Sequence, residues 1–126
     1  MQLALRALVA LSALVLLSLG AGFLFVPGLP MTPLGLSAEG AVGINFLRGD
    51  AGASLLLIGG LVARAAIAGE GDRLAIPIVW VLLLLGGRVL GMALDEGGLA
   101  AAPLFVTDFG LLLVLLLGRW KMRSSV

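Results

Sequence analysis

The sequence contains no cysteine, no histidine and no tyrosine. Without a thiol or an imidazole there is no disulfide, no zinc or haem ligation by those side chains, and no triad or general-base scheme that turns on imidazole. Without a phenol there is no proton or radical chemistry on tyrosine. Charge is scarce as well: 12% of the residues are Asp, Glu, Lys or Arg, against about 25% in soluble domains. The formal net charge of +1 supplies no basic face for nucleic acid. What fills the chain instead is apolar. Of 126 residues, 61% are hydrophobic, and the mean hydropathy is +1.22. That is the composition of an integral membrane protein.

A helix needs about 20 mainly apolar residues to cross the hydrocarbon core. Four stretches qualify, near 5–26, 42–68, 75–94 and 103–120, each bounded by Gly, Pro or charge. They predict an all-α fold, a single four-helix membrane domain over 1–126 with short loops and no soluble domain. The first span has features of a signal peptide: Arg6, an apolar run from Leu8 and small residues near Ser18–Gly20. The run continues through Phe23–Val26, so we read an uncleaved helix. The loop cations give the orientation. Arg6, Arg64, Arg73, Arg119, Lys121 and Arg123 flank one side, while Glu39, Asp95 and Glu96 flank the other. Both termini are therefore expected in the cytoplasm, with Trp120 as an interfacial anchor. The loop from Gly28 to Gly40 is apolar and rich in Pro and Gly. It is expected in the headgroup zone or folded over the bundle, as a lid or an interfacial plug. The run Leu111–Leu117 is expected to face lipid or a neighbouring chain.

Charges within a span are functional-site candidates, because a charge at helix centre costs about 2.5–3.5 kcal/mol on insertion scales. Arg48, Arg88 and Asp108 lie about five to seven residues from one end of their spans, or about 8–11 Å down at ~1.5 Å per residue. Three helices thus carry ionisable groups in one slab. Asn45, Arg48 and Gly52 share a helix face, as do Arg88, Gly91 and Asp95, and Leu104, Asp108 and Leu111. The expected cluster is Arg48, Arg88 and Asp108, with Asn45 and Thr107 completing hydrogen bonds. It serves either as an ionic latch that fixes helix register or as a site for an anion or lipid headgroup, since two arginines against one aspartate leave a positive charge. Gly52, Gly87 and Gly91 are candidates for close helix packing. Asp50 lies about 200° round the helix from Arg48 at ~3.6 residues per turn. The face with Leu47, Asp50, Ser54 and Leu57 is accordingly expected to be an association surface.

The stretch Asn45-Phe-Leu-Arg48-Gly-Asp-Ala-Gly52, then Gly87-Arg88-Val-Leu-Gly91 with Asp95, then an acidic residue early in the last helix, resembles an uncharacterised DoxX-like family of small four-helix bacterial membrane proteins. The resemblance implies a bundle in the bacterial inner membrane, with polar and glycine positions at Asn45, Arg48, Gly52, Arg88 and Asp108. Some relatives are named as accessory subunits of membrane redox systems. Two departures stand out: the family more often has Glu at the last acidic position, and Asp50 replaces an apolar residue. The expected role is a non-enzymatic accessory or scaffold subunit on a larger membrane complex or homo-oligomer, in contact with lipid and without cofactor or metal. The alternative is a binding protein or transporter for a small anion or lipid headgroup. An enzyme using Asp108 or Asp50 lacks a positioned partner set.

Overall fold

In the computed structural model, which describes residues 1–123, the apolar runs form four long helices. We label them α1 (Gln2–Phe25), α2 (Gly40–Ala68), α3 (Ala75–Leu94) and α4 (Ala102–Arg123). No strand occurs among the described residues. Each span is long and apolar enough to cross a membrane. Pro27-Gly28 closes α1 and leads into a one-turn helix at Gly28–Met31. Gly69 closes α2 in the left-handed conformation at φ 70°, which glycine adopts without penalty. A short 3₁₀ turn, Gly71–Leu74, then feeds α3, and Pro77 sits in the first turn of that helix, where its missing N–H is not needed.

The chain runs up and down, so both ends of the described chain meet at one end of the bundle, the base. There the Gln2 side chain donates to the Lys121 carbonyl at 3.4 Å, and Arg119 approaches Asp72 of the α2–α3 turn at 4.0 Å. At the opposite end, the mouth, lie the segment 26–39 and the α3–α4 connection. The helices pair unequally: α1 packs along α2 and α3 along α4, whereas α2 touches α3 sparingly.

Between helices in lipid the hydrophobic effect offers little, and close van der Waals packing takes its place. The α1–α2 seam is built that way. A Cβ on Gly20 would stand 2.9 Å from the Leu56 nitrogen, and one on Gly52 would stand 3.1 Å from the Leu24 nitrogen. Gly59 meets Leu17 just as closely. Most of the buried side chains, among them Val9, Ala13, Val62, Val81 and Leu115, belong to the base half of their helices. Leu112 and Leu115 are part of this core, so the run Leu111–Leu117 is not wholly lipid-facing as its uniform composition suggested. Beyond Leu16, Leu85 and Leu112 near mid-helix, only Gly20, Phe23 and Gly52 are buried on the long helices toward the mouth. The bundle is therefore tight at its base and loose above.

One local feature escaped the sequence reading. Leu47–Gly52 of α2 is a π-helical turn. Such turns add a residue to the helical repeat and are frequent at functional positions. Here the turn contains Arg48 and Asp50, the two charged residues in the mouth half of that span.

Candidate functional site

Where the bundle loosens, a cleft of about 560 Å³ opens between the helices. Its walls are almost entirely apolar: Leu16 and Phe23 of α1, Leu55 of α2, Leu84 of α3 and Leu111 of α4. Leu34 and Leu36 of the mouth segment complete the lining, so that apolar loop does fold over the bundle. Leu11 and Val15 also line the cleft and are more than half exposed. The cavity is thus open along α1 to whatever surrounds the bundle.

Charge enters this apolar space once. Arg88 Nε donates to Asp108 Oδ2 at 3.1 Å, joining α3 to α4, with the side chains 34% and 16% exposed. Both are on the cleft wall. The pair is only partly buried, and the guanidinium has a single acceptor among the described residues. The three hydroxyls of the cleft are already committed. Ser12 donates to the Leu8 carbonyl at 3.0 Å, Ser54 to Ala51 at 3.2 Å and Thr107 to Pro103 at 2.9 Å. Each bonds its own helix and leaves only lone pairs facing out. Trp80, two turns along α3 from Arg88, lines the deeper part. Its place could have been read from the i, i+4, i+8 spacing of Trp80, Leu84 and Arg88 on one helix face.

Several expected members of the site lie elsewhere. Arg48 is exposed and donates from Nη1 to the Leu24 carbonyl at 2.9 Å. It does not reach Asp108. The physical reason is at the end of α1: the last carbonyls of a helix have no intrahelical partner, and a nearby cation satisfies them best. Asn45 is likewise exposed and makes no side-chain hydrogen bond among the described residues. The cluster of three charges is therefore a pair. Arg6 serves α2 as Arg48 serves α1, donating to the Ala66 carbonyl at 3.0 Å and the Ile67 carbonyl at 2.7 Å. Arg6 thus has a structural task beyond its place among the loop cations.

The expected association face also divides. Asp50 and Leu57 are exposed, but Leu47 is half-buried, and Ser54 turns into the cleft. The π turn shifts the residues before it relative to those after it, so positions 47 to 57 do not follow one 3.6-residue face. Among the glycines, Gly52 packs tightly against α1, whereas a Cβ on Gly87 would meet nothing within 4 Å. Gly91 receives the α3–α4 connection, not a long helix: Gly98, which opens the 3₁₀ turn Gly98–Ala101, packs against its carbonyl. Asp95, four residues beyond Gly91, ends α3 as its C-cap and is exposed. No group of three or more Asp and Glu residues able to hold a metal occurs among the described residues. No family model, no curated protein and no solved structure matches the chain.

Proposed function

We propose that this protein binds a single-chain amphiphile from the membrane, with its tail in the apolar cleft and its headgroup against the Arg88–Asp108 pair. One observation carries the reading: a continuous apolar cavity whose only charged lining is an incompletely used ion pair. At about 560 Å³ it is within the range of about 300–1,000 Å³ typical of small-molecule sites. An apolar wall with a few convergent polar groups is the usual composition of such sites. In this reading the protein is a multi-pass, non-enzymatic component of a bacterial cytoplasmic membrane. The base faces the cytoplasm, and the cleft opens in the outer leaflet. The likeness to DoxX-like proteins is part of the same proposal and rests on the short polar and glycine motifs alone.

Trp80 supplies the test. In a Trp120→Phe background it is the sole indole, and a fatty chain brominated along its tail should quench it saturably. Ser54→Phe, which fills the cleft, should abolish saturation, while Leu82→Phe on the exposed surface should not. Linear quenching that is the same in all variants would reflect bulk partitioning and refute the reading.

A second reading, the accessory subunit, draws on Asp50, an exposed carboxylate within a membrane span. At that depth a carboxylate calls for water or a donor, and a larger subunit or a second copy could provide one. Asp50→Leu should then release the four-helix protein from a larger assembly in native membranes without unfolding it. Unchanged assembly would remove this reading.

A further inference from the structure

The headgroup that suits the cleft follows from its charge sum and its free donors, an inference that rests on the amphiphile reading above. With Arg48 capping α1, the lining contains one guanidinium and one carboxylate, so the site is neutral. The surplus positive charge that would have favoured an anion is absent. A ligand carboxylate would put a second negative charge beside Asp108 in a medium that screens poorly, where like charges are strongly disfavoured.

Apart from the Trp80 indole N–H in the deeper part, the donors are equally restricted. Ser12, Ser54 and Thr107 give their hydrogens to their own helices. Arg88 uses Nε on Asp108, which leaves the N–H groups of Nη1 and Nη2 without acceptors among the described residues. A guanidinium donates from five N–H groups in a fixed planar fork and accepts none. An unfilled fork in an apolar cavity is satisfied by an oxygen that accepts hydrogen bonds, and a neutral oxygen keeps the site neutral. Removing Arg88 from Asp108 to serve an anion would strand the aspartate instead, a costly outcome for a charge away from water.

We infer that the cleft selects an uncharged headgroup with carbonyl or ester oxygens on a single apolar chain, and discriminates against the ionised acid of the same chain. Asp108 is then the element that sets charge selectivity, acting by cancelling Arg88, while Arg88 supplies the donors.

The experiment compares a tail-brominated fatty-acid methyl ester with the corresponding fatty acid, at a pH where the acid is ionised. Quenching of Trp80 in the Trp120→Phe protein is the readout. The ester is expected to bind at least tenfold more tightly than the carboxylate. Asp108→Asn, which keeps the shape but leaves Arg88 uncompensated, should reverse the order. If that variant does not fold, the comparison in the Asp108-containing protein still decides. Carboxylate binding equal to or tighter than ester binding there overturns the inference while leaving amphiphile binding intact. An unchanged order in a folded Asp108→Asn protein likewise overturns the role of Asp108. Saturation by neither probe overturns the amphiphile reading itself.

Discussion

Arg6 and Arg48 perform the same task at opposite ends of the α1–α2 pair. Each reaches across to the last turn of its neighbour and donates to carbonyls the helix cannot satisfy alone. A cation there also meets the negative end of the helix dipole. Arg48→Ala should lower stability in detergent by about 1 kcal/mol, the scale of a lost helix cap, and Arg48→Lys should recover part of it. Thermal unfolding of the purified protein measures both. Asp108→Ala is expected to do more, because it leaves Arg88 without its acceptor. A fully buried pair loses about 3–5 kcal/mol when one partner is removed. With Arg88 a third exposed, a loss of about 1–3 kcal/mol is expected here. Glu70→Ala, which breaks an exposed pair with Arg73, should change stability by about 0–1 kcal/mol. Equal effects from Asp108→Ala and Glu70→Ala would mean that the intramembrane pair is fully hydrated.

At the scale of helices, glycines that look alike in the sequence differ in what surrounds them. Gly52→Leu should disrupt the α1–α2 seam, because its Cβ alone would stand 3.1 Å from the Leu24 nitrogen, and the rest of the side chain has no room between the two backbones. Gly87→Leu should leave the melting temperature nearly unchanged, since a side chain there enters open space. Parallel melts of the two variants check the contrast, and equal losses would refute the seam. The four spans were legible because membrane thickness fixes their length and the apolar runs end at glycine, proline or charge. The meeting of Arg88 with Asp108 was legible from their common depth on different helices. The position of Arg48 was not. It depends on where α1 ends relative to α2 and on the π turn at Leu47–Gly52, and neither leaves a mark on hydrophobic periodicity. The cleft was invisible for a related reason: composition shows that residues are apolar, not whether another helix fills the space beside them.

For the whole molecule, the cations gather at the base, where Arg6, Arg73, Arg119 and Lys121 surround both described ends and the α2–α3 turn. In the proposed orientation that end faces the cytoplasm, as the positive-inside tendency expects. Reporter fusions after Glu39 and after Glu96 should both register outside the cytoplasm, and a cytoplasmic signal at either would invert the bundle. The uneven packing predicts a gradient in amide exchange as well. Backbone amides around Val62, Val81 and Leu115 should be protected longer than those of α3 and α4 near the mouth, because local opening is easiest where few side chains are buried.

The concentration of the core at one end has a mechanical consequence. The α1–α2 pair, bound by glycine contacts, and the α3–α4 pair, linked by Arg88 and Asp108, share one core at the base and separate around the cleft. A relative tilt of about 5° over the 20 residues of α3, about 30 Å of helix at ~1.5 Å per residue, would displace the mouth ends by about 3 Å. The width of the gap, and so the girth of the molecule it admits, is then set by an angle. In the proposed orientation, lateral pressure in the surrounding bilayer would act on that angle: a crowded outer leaflet would press the two pairs together, and a slack one would let them part.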